Sequence, residues 1–355
     1  MIRAREGSVI EVLSERKGLQ EIRVRNREGD SKALVYADMT GYVRKGDRVI
    51  LNTTAQFLGL GTGGYHFVIA NLNNTAADLS GPGHIMKLRY TPMQVKCLAV
   101  EEQQSGYHRI INGFENLKGR PIVTIPLHSM LAPLCAAVKI SRPSVKIGYV
   151  MTDGAALPIT FSKTVAGLKE MGLLDVTITS GNAFGGDMET VNFYTGIIAA
   201  VQAAECDLVV VGMGPGIAGT GTAYGFSGVE QGYIIDGINT LGGLPVAMVR
   251  ISFADGRVRH RGISHHSITV LGKIAKTRSL VPLPRLEAEK MEYIKKQIED
   301  NSIEKKHTIV FNKGEKVFRA IEEYGLMTTT MGRGPEEDRD FFLSIGATAD
   351  FYLSL

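Results

Sequence analysis

The sequence predicts an α/β protein in which a small antiparallel β-barrel precedes a mainly parallel, Rossmann-like sheet with helices on both faces. Three observations support this fold class. Short segments with alternating apolar residues fill the first 74 positions. From residue 84 onward, strand-like apolar runs alternate with segments of helical spacing. The apolar run at residues 208–211 leads directly into a glycine-rich loop, as strands do at a ligand-binding edge of a parallel sheet.

Composition and charge restrict the classes of function. The 355 residues are 44% hydrophobic and carry a net charge of +4, without a basic block interleaved with aromatic residues, so nucleic acid is not an expected partner. No run of about 18 apolar residues occurs and the first residues mix apolar with charged side chains, so we expect a cytoplasmic protein with no membrane contact. Cys97, Cys135 and Cys206 are too scattered for a zinc site and are expected to be reduced core residues.

The predicted barrel covers residues 1–74. Its five candidate strands are SVIEVL, QEIRVRN, KALVYA, DRVILNT and HFVIANL, and turn residues such as Lys45-Gly46-Asp47 separate them. Glycines in FLGLGTGGYHF fit a barrel corner better than a ligand site. His66 is expected to be packed and hydrogen-bonded. Residues 71–83 are rich in Asn, Ser, Gly and Pro and predict a linker.

The predicted α/β domain covers residues 84–355. Its expected strands are at residues 95–100, 122–125, 145–151, 176–179, 208–211 and 246–251. Its expected helices are at residues 129–137, 161–171, 188–205 and 267–276. Beyond these, we expect a surface helix at 286–300, a strand at 307–312 and a helix at 315–324. Pro335 is expected to open the terminal helix with acids in its first turn, and Arg333 before it to face either the pocket or solvent, with solvent favoured.

Candidate catalytic residues follow the predicted strands. They are His128, Asp153, Asp187 and Asp255, with Ser252 beside the last. Because parallel strands end at one edge, these residues are expected to converge on one crevice. Each also has a structural interpretation: His128 as a buried imidazole, Asp153 as part of a turn, and Asp187 as the N-cap of a helix starting at residue 188.

The loop after residue 211 is a candidate anion cradle. Glycine permits positive φ and close approach of the backbone, so amide groups can point at one anion. The residues expected to bind are Gly214, Gly216, Gly219 and Gly221, with the hydroxyls of Thr220 and Thr222. A set of tight turns without a ligand is the alternative.

The run RVRHRGISHHS at residues 257–267 offers further cations. Arg259 and Arg261 are expected to bind a phosphate or carboxylate, and His265 or His266 to act in proton transfer. Adjacent histidines at a helix start point in different directions, so binding of one ion by both is not expected. No ligand spacing typical of a metal site occurs, and a divalent metal cofactor is left open. A solvated basic loop is the alternative.

Five long phrases are specific enough for comparison with known families: YVMTDGAALP, FGGDMETVN, GMGPGIAGTGTAYGFSG, RISFADGRVRHRGISHHS and TTMGRGPEEDRDFF. They resemble a bacterial family known only as domain of unknown function 3866. The resemblance extends over nearly the whole chain, including LGTGGYHFV in the barrel. It implies no activity.

Two functions fit these observations. The first is an enzyme that acts on a phosphorylated or carboxylated small molecule at the carboxyl edge of the sheet. The second is a metabolite-binding or regulatory protein that uses the same crevice without catalysis. A nucleotide-cofactor enzyme is less favoured because the glycines lack the GxGxxG order. A homo-oligomeric state is left open.

Overall fold

The first part of the chain closes into a five-stranded barrel because alternate residues of each strand point inward. A computed structural model describes residues 1–61 and 63–355, and Thr62 in the glycine-rich barrel phrase lies outside the described residues. The strands are β1 (Ala4–Arg16), β2 (Leu19–Asn26), β3 (Gly29–Tyr36), β4 (Arg48–Asn52) and β5 (Tyr65–Asn71), in the order β1-β2-β3-β5-β4. Short helices α1 (Ala37–Thr40) and α2 (Thr54–Phe57) connect them. The predicted barrel is confirmed.

Two details of the barrel differ from expectation. The pair β3–β5 is parallel, because the chain inserts β4 against β1 before it returns to β3. His66 is buried as predicted, but its Nδ1 has no hydrogen-bond partner among the described residues.

A small hairpin follows the barrel. It consists of β6 (Ile85–Lys87) and β7 (Val95–Cys97), which pair antiparallel. Residues 95–97 of the strand expected at 95–100 pair with β6 instead of the main sheet, whereas Ala99 makes a single parallel bridge to Glu189, a residue of the main sheet. Contacts within the chain separate two units, Met1–Leu98 and Ala99–Leu355.

The second unit is built on eight parallel strands. In chain order the eight strands are β8 (Pro121–Thr124), β9 (Ile147–Thr152), β10 (Val176–Ser180), β11 (Met188–Thr190), β12 (Leu208–Met213), β13 (Leu244–Ala247), β16 (Leu280–Pro284) and β17 (Thr308–Asn312). Between β13 and β16 the chain forms a separate two-stranded ribbon of β14 (Ile251–Ser252) and β15 (Gly262–Ile263). The sheet order is β11-β10-β9-β12-β8-β13-β16-β17. The predicted mainly parallel sheet is confirmed.

Helices cover both faces of this sheet. The short α3 (His108–Asn112) precedes β8. One face packs against α4 (Leu131–Lys139), α5 (Lys163–Glu170), α10 (Lys316–Glu323) and α11 (Arg339–Ser354). The other packs against α6 (Phe193–Ile198), α7 (Glu230–Thr240), α8 (His265–Thr269) and α9 (Ala288–Asp300). Leu208 and Val210 face the first set and Val209 and Val211 the second, which explains why β12 is apolar throughout.

The segment at residues 188–205 is not one helix. Its first residues form β11, and α6 begins only after Asn192, whose Oδ1 accepts a hydrogen bond from the backbone of Thr195 at 3.1 Å. The helix then continues as a π-helix, Ala199–Ala203. Asp187 therefore caps no helix.

Two further boundaries differ from the sequence prediction. The strand predicted at 246–251 ends at Ala247, and Ser252 belongs to the ribbon. The terminal helix α11 begins at Arg339 rather than Pro335. The surface helix, the last strand and the helix ending near Gly325 agree with the prediction.

Candidate functional site

A pocket of about 200 Å³ lies where the loops after β8, β12 and β13 separate. The chain leaves β8 toward α4 on one face of the sheet, whereas it leaves β12 and β13 toward α7 and α8 on the other. Divergence of this kind opens a crevice at the carboxyl edge of a parallel sheet. The residues that line the pocket are Leu127, Ile217, Ala218, Gly219, Gly221, Arg250, Arg257, Arg259, His260, His266 and Met331.

Asp255 orients two of the arginines in this pocket. Arg250 is buried and donates to Asp255 Oδ2 at 2.7 Å. Arg257 binds the same carboxylate with two nitrogens, at 2.9 and 2.8 Å. The hydrogen bonds from Arg257 hold the pKa of Asp255 far below its usual range, and those from Arg250 lower it further although burial opposes them. Asp255 therefore serves as a fixed anion that positions arginines, and its geometry does not suit a proton acceptor.

A second carboxylate extends this network. Arg333 donates to Asp338 at 2.9 Å and lies 3.6 Å from Asp255. Asp338 also accepts the hydroxyl of Ser252 and is buried. Asp338 directly precedes α11, but its side chain bonds to Ser252 and Arg333 instead of capping that helix, and Arg333 joins this network rather than facing solvent, the orientation that was favoured.

Arg259 lacks such a partner. It lines the pocket, and within residues 1–61 and 63–355 no carboxylate forms an ion pair with it. Together with Arg250, Arg257 and Arg333 it outnumbers Asp255 and Asp338. The pocket therefore carries an excess of positive charge and favours an anion.

Three histidines lie beside these arginines. The ring centroids of His265 and His266 are 4.2 Å apart. The ring centroid of His260 lies 4.9 Å from that of His265 and 5.4 Å from that of His266. His260 is buried and its Nδ1 contacts Ser264 Oγ at 2.8 Å. His265 Nε2 is buried without a hydrogen-bond partner in the described chain. The rings thus form one cluster at the pocket.

All three imidazoles have pKa values below that of an ordinary histidine. Burial, together with the charge of Arg250 and Arg257, lowers the pKa of His260 to about 3. Burial and neighbouring cations lower the pKa of His266 to about 4. Burial also lowers the pKa of His265. A neutral imidazole can donate with one nitrogen and accept with the other, which suits proton transfer to or from a bound anion.

Phe226 holds His266 in place. The two rings stack at 4.0 Å with an interplanar angle of 8°. Gly219 lies against the same imidazole, since a Cβ there would be 3.8 Å from His266 Nε2. Loop and helix thus meet at one face of the pocket.

The glycine loop is only partly a cradle. Gly219 and Gly221 line the pocket. Thr220 and Thr222 bond to each other at 3.0 Å and to Gly225, so their hydroxyls close the loop. Gly214 approaches the carbonyl of Ala156, where a Cβ would be at 2.9 Å, and Gly216 is exposed outside the pocket lining.

Two of the predicted site residues, Arg261 and Asp187, do not line the pocket. Arg261 points away from the pocket, with its guanidinium 5.6 Å from the Phe253 ring and 5.8 Å from the Tyr293 ring. Asp187 lies level with Thr177 at the amino end of β10, because β11 runs parallel to β10 and carries the chain back. There it pairs with Lys169 at 2.8 Å. Asp187 was expected at the carboxyl edge of the sheet, and that prediction is therefore wrong.

His128 is a satisfied core histidine. Its Nε2 contacts Ser162 Oγ at 2.7 Å and its Nδ1 contacts the Tyr149 hydroxyl at 3.1 Å. Burial lowers the pKa of His128 to about 4. With both ring nitrogens in use, the imidazole fixes β9 to the helix that follows and has no nitrogen left for a substrate.

Asp153 lies beside a carboxyl group that the sequence did not single out. It accepts the backbone N–H of Asn182 at 2.9 Å. Nearby Glu230 is buried and accepts the hydroxyl of Thr152 at 2.5 Å. Burial, with the charge of Asp153, raises the pKa of Glu230 to about 7. This pair sits between the ends of β9 and β12, outside the lining of the arginine pocket.

Four residues of interest escaped the sequence interpretation: Arg250, His260, Glu230 and Met331. Arg250 was counted within a strand and His260 was in the quoted basic run without a role. The basic run itself was the signal for His260. No group of three or more histidine, cysteine or acidic side chains in the described part of the chain is arranged to hold a metal ion. Nor is any helix of the described residues long and apolar enough to cross a membrane.

Comparison with protein families gives one match. The family model described as "Protein of unknown function (DUF3866)" matches residues 32–349. No curated protein matches the chain.

Proposed function

The chain belongs to the DUF3866 family, whose description names no activity, and we propose that it binds a phosphorylated or carboxylated small molecule in the arginine pocket and acts on it as an enzyme. The observation that carries the proposal is the arrangement of arginines around two fixed carboxylates. Arg250 and Arg257 are held in place by Asp255 before any ligand binds. A site organised in advance loses little conformational entropy when an anion enters.

Arg259 is a pocket cation that forms no ion pair with a carboxylate among the described residues. An anion in the pocket would be the partner of its guanidinium, and Arg250 and Arg257 would add charge from the other side. Planar guanidinium groups bind phosphate and carboxylate oxygens through paired hydrogen bonds. The small volume of about 200 Å³ suits a metabolite rather than a drug-sized ligand, for which pockets of roughly 300–1,000 Å³ are usual.

His266 is the residue we propose for proton transfer. Its ring lies in the pocket lining, and no hydrogen bond from another described side chain fixes its protonation. An anion bound beside it would offset the arginine charge that lowers its pKa, so the imidazole would become a stronger base on binding.

A metabolite-binding protein without catalysis is the second candidate. It is favoured by the carboxylates of the pocket network, because Asp255 and Asp338 are both committed to arginines. A sensor needs only the anion site, whereas an enzyme also needs an acid–base group.

The test of anion binding compares two arginines of the same loop. Inorganic phosphate is titrated calorimetrically into the parent protein, Arg259→Gln and Arg261→Gln. Arg259→Gln should weaken phosphate binding by about tenfold, because one charge-assisted contact of about 1.4 kcal/mol is lost. Arg261→Gln is the control, since Arg261 stacks on Phe253 and Tyr293 outside the pocket. Equal affinities in both variants would contradict the proposal.

A second measurement separates enzyme from sensor. A panel of phosphate monoesters is incubated with the parent and with His266→Gln and followed by phosphorus NMR. Conversion by the parent that His266→Gln loses while still binding phosphate supports an enzyme. Unchanged esters in the presence of measurable binding support the sensor.

A further inference from the structure

Part of the pocket lining is apolar. It is formed by Leu127, Ile217, Ala218 and Met331. A smaller cavity of about 10 Å³ shares Leu127, Ile217, Arg250 and His266 with this pocket and is also lined by Phe226, with room for a group of roughly the size of one water molecule. This apolar lining does not stabilise a bare inorganic anion, because every oxygen of that anion requires a polar partner.

Met331 is held at the mouth of the pocket in an unfavourable backbone conformation. Its φ is +50° and that of Gly332 is +81°, and Thr330 and Arg333 exchange backbone hydrogen bonds of 2.8 and 3.0 Å across them. Two central residues with positive φ define a type I′ turn, in which Asn or Gly is preferred at the first position. A methionine there is strained, and the residue is 67% exposed.

The surrounding ion pairs maintain this turn. Arg333, the last residue of the turn, binds Asp338 and approaches Asp255, the carboxylate that also positions Arg250 and Arg257. The turn is therefore fixed to the same network that forms the anion site. A strained, exposed apolar side chain that the structure keeps beside a cationic pocket indicates a role in binding.

From this arrangement we infer that the ligand of the pocket is an anion with a compact apolar group, which packs between Leu127, Ile217 and Met331 while the arginines bind its charge. The inference rests on the proposed function and extends it from anions in general to amphiphilic ones. The charged group is a phosphate or a carboxylate, and the remainder is a small hydrocarbon or aromatic group.

The test uses calorimetric titration of the full chain with paired ligands. One pair is inorganic phosphate and phenyl phosphate, and the other is acetate and benzoate. The parent should bind the phenyl member of at least one pair more tightly by about tenfold or more, because burial of its apolar surface adds to the binding of the charge. The pair that binds identifies the charged group as phosphate or carboxylate.

Met331→Asn separates the apolar contact from the fold. Asn suits the first position of a type I′ turn, so the variant should unfold at the same temperature as the parent or above it. It should lose far more affinity for phenyl phosphate than for inorganic phosphate, and with it most of the preference for phenyl phosphate. Met331→Leu keeps an apolar side chain and should retain that preference.

The outcomes distinguish the two proposals. Equal affinity of the parent for both members of each pair overturns the inference and leaves anion binding intact. No binding of any of the four anions overturns the proposed function. An equal loss of phosphate and phenyl phosphate binding in Met331→Asn overturns the role of Met331, because the side chain would then act only through the turn.

Discussion

Asp255 was a candidate catalytic residue, but its contacts give it a different role. An aspartate after a strand is a reasonable candidate base, and Asp255 does lie close to pocket residues. Its carboxylate is instead the shared anion of Arg250, Arg257 and, at 3.6 Å, Arg333. The loss of one member of a buried ion pair leaves the other uncompensated, so Asp255 contributes to the pocket by fixing cations.

The histidine beside these cations should respond to pH in a definite direction. The pKa of His266 is lowered to about 4 by burial, by His265 and by the arginines, whereas an unfolded histidine has a value of about 6.5. The unfolded chain thus takes up a proton first as the pH falls. Stability associated with neutral His266 is fully present above about pH 6.5 and is lost as the pH falls toward 4.

Urea unfolding at pH 7 and pH 5 tests this expectation. The parent should lose more stability between the two pH values than His266→Phe, by about 1 kcal/mol after allowance for screening by solvent. Phenylalanine can keep the stack on Phe226 but cannot take up a proton. An equal loss in both proteins would show that His266 does not carry the effect.

Some of the site residues predicted from the sequence lie together. Gly219, Gly221, Arg259 and His266 were named and do line one pocket. Arg250 was missed because an arginine at the end of an apolar strand gives no periodic signal of its own. His128, Asp153 and Asp187 follow strands too, but side-chain partners such as Ser162 and Lys169 decide what each can do, and these are distant in the sequence.

At the scale of elements, the glycine loop contains two kinds of glycine that the composition of the loop does not distinguish. Some glycines are required by the backbone, as at Gly216 with φ of +101°. Others line the pocket without such a need, as at Gly219, whose φ is not positive and whose missing Cβ would lie 3.6 Å from Phe226. We expect the first kind to matter for stability and the second for binding.

Alanine substitution should separate these two kinds of glycine. Gly219→Ala should leave stability nearly unchanged and weaken phosphate binding, because the new methyl group enters the pocket beside His266. Gly216→Ala should cost about 1–2 kcal/mol of stability, since an L-residue resists positive φ, and should leave phosphate binding unchanged. Chemical unfolding and calorimetric titration of both variants measure these effects. The reverse pattern would assign the cradle to Gly216.

The errors in the predicted elements also have physical causes. β16 (LVPLP) escaped notice because Pro282 and Pro284 argue against a strand inside a sheet. β11 was absorbed into a predicted helix because three residues are too few to reveal a period. The long apolar strand β12 and the amphipathic helix α9 were predicted correctly, since each has a pattern long enough to determine its structure.

At the scale of the molecule, each unit has its own core. The barrel closes around residues such as Ile22, Val24 and Leu51. The second unit contains the large clusters on both faces of its sheet. The division at Leu98 lies beyond the predicted linker because the β6–β7 hairpin belongs to the first unit.

A fragment of residues 99–355 should therefore fold by itself and keep the pocket. We expect one cooperative thermal transition and a phosphate affinity equal to that of the full chain, because every pocket residue lies in this fragment. Circular dichroism and calorimetric titration measure both properties. Residues 1–98 expressed alone are the matched control for the barrel. An aggregated or non-cooperative larger fragment would show that the second unit depends on the first.

The place of β12 in the sheet order has a consequence for protein synthesis. β8 and β9 are made early, yet they do not touch each other, because β12 occupies the position between them. A nascent chain that has not reached Leu208 thus has two exposed strand edges and a sheet without its centre. Such edges are sites of mispairing between chains. Until β12 has been translated, these edges therefore remain without the strand that pairs with both of them.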